Sequence, residues 1–249
     1  MAKSPDHWES VSPPNIDALI GRYVELHRLD AQKHAAQLFQ CYVDQDQVWT
    51  YLPYGPFHSS AQYHRWIAEM SDKSDPYFFA IKDKQSQEFR GVASFLRIDP
   101  NMGTIEVGHL NFSPSLQKTP AATEAMFLMM QWAFDAGYRR YEWKCDAANI
   151  PSRRAAQRLG LSFEGIFRQA AIVKKRNRDT AWYAAIDTEW PALKEAFLTW
   201  LHPSNFTPDL QQKETLGNLT RLILVQSDPA AAIGPSPALC ATPSKNRQR

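Results

Sequence analysis

The segment from Gly103 to Phe163 constrains the fold more than any other part of this 249-residue chain. It reads as strand, turn, long helix and strand, followed by an Asn-x-x-Ser turn and a short helix that ends in Leu-Gly. The long helix begins well, because Thr119 is a good N-cap and Pro120 presets φ at the first helical position. Gly137 is placed to end it. The start of such a helix offers free N–H groups and the positive end of its dipole, which suit a pyrophosphate.

Small residues surround this helix start, where residues 117–122 read QKTPAA. Small side chains let the backbone approach a phosphate closely. Pro120 has no amide to donate, whereas Lys118, Thr119, Ala121 and Ala122 keep theirs. The alternative is an ordinary capped helix with an alanine-rich first turn.

Positive charge is concentrated just beyond this helix. Residues 139–178 contain eleven Lys or Arg against three acids, although the whole chain has a formal net charge of only +2. A phosphorylated nucleotide would favour such a distribution, and a solvated basic face is the alternative. In the same stretch, Asn149 offers both donor and acceptor groups and Ser152 offers a hydroxyl. Both residues would also suit a helix cap.

In combination, these motifs resemble the GNAT superfamily of N-acetyltransferases, and in particular its RimJ/RimL-like branch. The family pattern at the helix start is Arg or Gln, two residues, Gly, one residue, then Gly or Ala; Gln117 and Ala122 match it, and Pro120 replaces the first glycine. The resemblance implies acetyl-CoA as co-substrate and no metal. It also implies an α/β (α+β) fold, with a mixed, largely antiparallel central sheet flanked by helices on both faces. The implied cofactor-binding residues are Leu110, Asn111, Phe112, Gln117, Lys118, Thr119, Ala121, Ala122, Asn149, Ser152 and Arg153.

Transfer of an acetyl group to an amine requires a neutral nucleophile, so a general base is useful. The candidate is Glu106, which lies on the otherwise apolar strand 104–112, opposite the face of Ile105 and Val107. Gly108 could mark a bulge in this strand. His109 is the rival base, and Ser152 is the candidate donor to the leaving thiolate. In the family, backbone N–H groups of the splayed strand polarise the thioester carbonyl, a role that falls here on residues 110–112.

The amine acceptor is expected to contact aromatic side chains, since an aromatic-rich loop follows the first helix. The candidate substrate-binding residues are Tyr51, Tyr54, Phe57 and Trp182. Aromatic walls suit a small organic amine and a protein N-terminus equally well, and core packing is the alternative reading of each position.

Three regions are predicted along the chain. Residues 1–15 form an irregular leader, residues 16–206 form the acetyltransferase-like domain, and residues 207–249 form a disordered tail rich in Pro, Ala, Ser and Thr. The short apolar run at 219–225 is a candidate for docking onto the domain. Predicted strands lie at 23–27, 77–82, 91–98, 104–112, 167–173 and 181–187, and helices begin near Asp30, Ser59 or Ser60, Thr119, Asn149 and Trp190.

Composition excludes several classes of protein. Cys41, Cys145 and Cys240 indicate neither a disulfide framework nor a paired-cysteine metal site. The near-neutral charge gives no drive toward nucleic acid or an anionic membrane. No apolar run is long enough to span a bilayer and no secretory signal is present, so a cytoplasmic location is expected. The motifs GxGxxG, GxxxxGK[ST], GxSxG and HExxH are absent.

Three function classes remain. The first is an acetyl-CoA-dependent N-acetyltransferase that acts on a small amine or a protein N-terminus, with a homodimer left open. The second is a catalytically silent acyl-CoA sensor of the same fold. The third is an interaction protein that binds no cofactor.

Overall fold

A computed structural model of the chain describes residues 8–209 and 211–231. It contains one eight-stranded sheet and six α-helices within these residues. The strands are β1 (Ala18–Ile20), β2 (Val24–Arg28), β3 (Tyr77–Asp83), β4 (Glu88–Asp99), β5 (Thr104–Phe112), β6 (Arg140–Asp146), β7 (Ser162–Val173) and β8 (Arg176–Ile186). The helices are α1 (Ala31–Gln40), α2 (Ser60–Ser71), α3 (Pro120–Asp135), α4 (Ile150–Arg158), α5 (Trp190–Leu201) and α6 (Leu216–Thr220).

The sheet order is β1-β2-β3-β4-β5-β6-β8-β7. Every neighbouring pair is antiparallel except β5 and β6, which are parallel. A parallel pair needs a crossover connection, and α3 supplies it. The mixed, largely antiparallel sheet flanked by helices confirms the predicted fold class.

Two apolar cores lie on opposite faces of the sheet. The larger one packs α3 and α5 against one face, and the smaller one packs α1 and α2 against the other. Helix α3 buries most of its residues, including Met126, Met129 and Met130. A helix that is apolar nearly all round must be covered on several sides, and here the sheet and α5 cover it.

Helix caps agree with the sequence predictions. Asp30 caps α1 and accepts hydrogen bonds from the backbone N–H of Gln32 and Lys33, and Ser59 caps α2. Thr119 caps α3. Gly137 follows the end of α3 with a φ of +93°, a conformation that favours glycine.

Strand β5 parts from β6 halfway along its length. The two strands pair from Thr104↔Arg140 to Val107↔Trp143 and no further. On its other side, β5 shifts register against β4 between the pairs Ser94↔Gly108 and Val92↔Asn111, and His109 has a φ of +51°. The bulge expected near Gly108 is therefore present. It bends β5 away from β6 and opens a gap between them.

Several element bounds differ from the sequence predictions. Strands β4, β7 and β8 all begin earlier than expected, and β1 was not predicted. The extra lengths are polar or exposed, so hydrophobic periodicity gave little signal there. Among the described leader residues, Val11 donates its N–H to the Pro100 carbonyl, and the Ser12 carbonyl accepts the Tyr138 hydroxyl at 3.1 Å, so this irregular segment is packed on the domain.

The C-terminal segment also differs from expectation. A disordered tail was predicted from residue 207, but residues 211–231 fold onto the domain through α6, a buried Leu216 and a buried Asp228. The docking expected for the run 219–225 is seen at Val225, whose N–H donates to Ser162 Oγ at 3.0 Å. A few buried contacts suffice to order this otherwise polar stretch, which composition does not reveal. Residues 232–249 lie outside the described residues.

Candidate active site

A cavity of about 340 Å³ opens where β5 and β6 separate. This volume falls in the range of small-molecule sites. Its walls come from β4, β5, β6, the start of α4, one residue of β8 and the aromatic loop after α1. The lining residues are Val48, Tyr51, Leu52, Pro53, Leu96, Arg97, Glu106, Val107, Gly108, His109, Leu110, Trp143, Lys144, Cys145, Asp146, Asn149, Ser152 and Arg178.

Glu106, the predicted base, lines this cavity and is only 3% exposed. Its Oε2 lies 2.7 Å from Arg97 Nη1 and 2.9 Å from Lys144 Nζ. A buried carboxylate needs such partners. Glu106 therefore belongs to a buried ion-pair network with Arg97 and Lys144 in the cavity wall.

His109, the rival base, lies on the same wall. Its Nδ1 is 3.0 Å from the Tyr54 hydroxyl, and the two rings stack with centroids 5.5 Å apart. Burial is the main reason that the pKa of His109 falls to about 4, and the nearby Arg97 adds to the effect. His109 is thus neutral near pH 7 and can accept a proton only weakly.

Asn149 and Ser152 both reach the cavity. Asn149 caps α4, because its Oδ1 accepts the Ser152 N–H at 3.2 Å. The Ser152 Oγ accepts a hydrogen bond from Trp143 Nε1 at 3.0 Å, which leaves the hydroxyl proton free to be donated elsewhere. The capping role of Asn149 is therefore present, and the two side chains also form part of the cavity wall.

Cys145 is the one thiol on this wall. Burial raises its pKa to about 11, against the opposing effect of a nearby Ser152 hydroxyl. The thiol is consequently protonated near neutral pH. A protonated thiol is a poor nucleophile, so a covalent acetyl-cysteine intermediate is not favoured here.

The start of α3 presents free backbone donors. Among the described residues, the N–H groups of Lys118, Thr119 and Ala121 have no hydrogen-bond acceptor. The fourth expected donor, the Ala122 N–H, is already used by Thr119 Oγ1 at 3.1 Å. Three amides at the positive end of a helix fit a pyrophosphate such as that of coenzyme A.

Gln117 and the splayed part of β5 complete this end of the site. Gln117 Nε2 donates to the Phe112 carbonyl at 2.8 Å, and so ties the turn to the end of β5. Because β6 does not pair with β5 beyond Val107, the β6-facing edge from Gly108 to Phe112 has no strand beside it. Leu110 lines the cavity at this edge.

Asn111 has an unusual environment on this stretch. Its backbone carbonyl accepts the Tyr42 hydroxyl at 2.6 Å. Its side-chain Oδ1 and Nδ2 are buried, and neither has a partner within the described residues. Such unpaired amides are rare in folded proteins, and they often mark functional positions.

Arg153 is not placed as the resemblance implied. It is buried, and its guanidinium binds Asp228, the Tyr183 hydroxyl and the Ala147 carbonyl. This arrangement uses the charge for an internal ion pair. Nothing in the sequence around Arg153 indicated that its partner would be Asp228, which lies 75 residues further along the chain.

The predicted acceptor residues are only partly brought together. Tyr51 lines the cavity, and Tyr54 reaches it through its hydrogen bond to His109. Phe57 instead packs edge-on against Trp49, at a centroid distance of 5.3 Å. Trp182 packs against Phe167 in a tilted arrangement, with ring centroids 4.4 Å apart, and lies under the Lys144 ammonium.

Sequence reasoning missed the cations of this cavity, namely Arg97, Lys144 and Arg178. Lys144 lies on β6 in an alternating strand, RYEWKCD, whose polar positions read as a solvated face. The structure instead buries Lys144 between Glu106 and Glu142. Glu106 pairs with Glu142, which lies two residues before Lys144 on β6, so the closeness of Lys144 to both acids shows only once the strand order is known.

Comparison with known proteins identifies the family. The family model described as Acetyltransferase (GNAT) domain matches residues 24–162, more than half of the chain. The chain belongs to the GNAT acetyltransferase family. This finding confirms the resemblance drawn from the Gly103–Phe163 segment.

Similar proteins support the same assignment. A GCN5-related N-acetyltransferase from Brucella melitensis is 47% identical, with a TM-score of 0.85 over 86% of this chain and 99% of that one. The uncharacterized N-acetyltransferase YnaD of Bacillus subtilis is 31% identical over 35% of this chain, and the match spans about half (51%) of that relative. A structure of the ribosomal L7/L12 α-N-protein acetyltransferase RimL has a TM-score of 0.59 and covers 71% of this chain and 99% of that one. At 22% identity it shows a shared fold alone.

Two features are absent from the described residues. None of the helices in that part is both long and apolar enough to cross a bilayer. No cluster of His, Cys, Asp and Glu suited to a metal ion occurs there either.

Proposed function

We propose that this GNAT protein transfers an acetyl group from acetyl-CoA directly to a primary amine. The observation that carries the proposal is the gap between β5 and β6, which holds the cavity. Three free amides lie at the start of α3, in the turn that Gln117 ties to the end of β5. Acetyl-CoA is the co-substrate of the family and supplies an activated thioester. Its pyrophosphate is assigned to Lys118, Thr119 and Ala121, with Gln117 and Ala122 shaping the turn.

Direct transfer is favoured over a covalent enzyme intermediate. Cys145 is the thiol in the cavity wall, and its pKa of about 11 keeps it protonated. The amine must then attack the thioester itself and lose a proton. The free form of a lysine-type amine costs about 4 kcal/mol to reach near neutral pH, whereas an α-amine costs less than about 1 kcal/mol.

Glu106 is the proposed base, with His109 as the alternative. Glu106 lies in the cavity wall, which supports the assignment. Its ion pairs with Arg97 and Lys144 oppose the assignment, because proton uptake by the carboxylate would weaken them. Ser152 is the proposed donor to the leaving thiolate, because its proton is not used by Trp143. Backbone N–H groups at 110–112 are proposed to polarise the carbonyl, and Asn149 to contact the pantetheine arm.

The proposed acceptor is a small amine or a protein N-terminus, and Tyr51 and Tyr54 are its proposed contacts. Several properties remain predictions from the sequence: no metal requirement, a cytoplasmic location, and no nucleic-acid or membrane partner. The sequence also left a homodimer open.

The decisive experiment measures binding and turnover on the same full-length protein. Calorimetry with coenzyme A is expected to show binding, and acetyl-CoA with a panel of amines is expected to give acetylated product and free thiol. Binding without turnover on any amine would favour the silent sensor. No coenzyme A binding at millimolar concentration would exclude both the acetyltransferase and the silent acyl-CoA sensor.

A further inference from the structure

The cavity contains a cation that the fold does not use. Arg178 lies on β8 and lines the cavity. Within the described residues its guanidinium makes no hydrogen bond and no ion pair, and its Nε is shielded from solvent without a partner. Guanidinium groups carry five donors, and a shielded donor without a partner is unfavourable.

The other two cations of the cavity differ from Arg178. Arg97 and Lys144 both pair with Glu106, and Lys144 also pairs with Glu142 at 2.7 Å. The remaining acid of the wall, Asp146, accepts the Ala148 N–H at 2.8 Å and makes no ion pair with Arg178. One guanidinium is therefore left for a ligand.

The charge pattern bears on the class of acceptor. Three cations and two carboxylates line the cavity, so a polyamine would meet more like charge than opposite charge. An amine that also carries an oxyanion matches the wall at both ends: its amino group lies near carboxylates, and its anion lies near a guanidinium. The planar fork of Arg binds carboxylate and phosphate in two-point contacts.

We infer that the acceptor is a small amine bearing a carboxylate or phosphate group, and that Arg178 binds this group and so determines acceptor specificity. The inference rests on the proposed function, since it names the class of amine that the site takes. The cavity of about 340 Å³ has room for a small molecule of this kind.

The test uses matched ligand pairs that differ only in the anion. The full-length protein, with and without coenzyme A, is titrated with the proteinogenic amino acids and their carboxamides, and with O-phosphoethanolamine and ethanolamine. At least one anionic member is expected to bind at least about tenfold more tightly than its neutral partner. The carboxylate and phosphate pairs show which oxyanion is preferred.

Three variants at two positions of the same strand separate specificity from general charge. Arg178→Gln is expected to abolish the anionic preference by weakening the binding of the anionic member of each pair. Arg176→Gln, at an exposed position outside the cavity wall, is expected to retain it. Arg178→Lys keeps the charge but loses the planar fork, so an intermediate preference is expected.

The inference and the proposed function fail separately. Equal binding of acids and amides, equal loss of preference in both Gln variants, tighter binding of spermidine, or no binding of any anionic amine would each overturn the inference. Acetylation of neutral amines alone would do the same and leave the proposed function intact. Arg178-dependent binding of anionic amines without any acetyl transfer would sustain the inference and overturn the proposed function.

Discussion

Asp228 holds Arg153 through two hydrogen bonds of 2.7 and 2.6 Å in a site closed to solvent. The Arg153 guanidinium in turn holds the Ala147 carbonyl at 2.9 Å, on the turn that carries Asn149. The C-terminal segment therefore supports the first turn of α4, where the cavity residues Asn149 and Ser152 lie. Burial raises the pKa of Asp228, but hydrogen bonds from Arg153 and Tyr183 outweigh it and hold the pKa below the usual value.

Loss of this pair is expected to destabilise the whole domain. Asp228→Ala leaves a buried guanidinium unpaired, and we expect the free energy of unfolding to fall by about 3–5 kcal/mol. Urea denaturation followed by circular dichroism measures the change. The double variant Arg153→Met with Asp228→Leu removes both charges and should recover most of the loss. A loss below about 1 kcal/mol in the single variant would contradict the buried ion pair.

Glu124 is expected to anchor the turn between β1 and β2. Its carboxylate accepts the backbone N–H groups of Arg22, Tyr23 and Val24 at 2.9, 2.6 and 3.0 Å. Glu124→Ala should lower the free energy of unfolding by about 3 kcal/mol, because three donors lose a charged acceptor. Gly21→Ala should also destabilise, since a Cβ there would overlap the same carboxylate. The exposed Glu195→Ala is the control, and an equal effect in it would refute the anchor.

The amides at the start of α3 should make coenzyme A binding sensitive to local charge. Lys118→Glu adds an anion on an exposed residue beside the free N–H groups, and we expect at least about tenfold weaker binding, roughly 1.4 kcal/mol. Isothermal titration calorimetry measures the affinity. Lys33→Glu makes the same charge change on exposed α1 and should leave affinity unchanged. Equal coenzyme A affinity in both variants would show that the pyrophosphate does not bind at the start of α3.

Glu106→Gln tests the proposed base. It keeps the shape of the side chain and removes its basicity, so kcat should fall by about a hundredfold, while acetyl-CoA affinity stays nearly constant. Steady-state kinetics across pH should also show a flattened acidic limb. Glu142→Gln is the matched control, because Glu142 shares Lys144 but does not line the cavity. If Glu106→Gln retains the acidic limb, His109 becomes the base to examine.

His109 should make stability depend on pH in a defined window. Its pKa is about 4 in the folded state and about 6.5 when unfolded, so between these values the unfolded chain binds a proton that the folded chain does not. Stability contributed by the neutral ring is therefore present above pH 6.5 and declines as pH falls toward 4, by at most about 3 kcal/mol. Denaturation of wild type and His109→Asn at several pH values measures the difference. A difference that stays constant across the window would contradict the lowered pKa.

Local sequence signals predicted the elements that depend on neighbouring residues. The caps Asp30, Ser59 and Thr119 and the end at Gly137 follow from short-range hydrogen bonding and backbone preference, and all are present. The bulge at Gly108 was visible for the same reason. The fold class was implied by the resemblance to the GNAT family, which rests on motifs at short spacing between Gly103 and Phe163.

Long-range partners could not be predicted in this way. Lys144, Arg97 and Arg178 look like surface cations in a linear sequence, and only the sheet order brings them to one cavity. The free energy of a charge depends on which groups surround it after folding, and those groups are far apart along the chain.

The sequence by itself determined the family, the sheet with its crossover helix and the amide-rich helix start, because each depends on residue types at short spacing. The tertiary structure decided which charges are used and which are left for a ligand. Arg153 becomes an internal partner of Asp228, whereas Arg178 keeps its donors for the cavity. Burial and pairing create that difference, and both are properties of the folded arrangement.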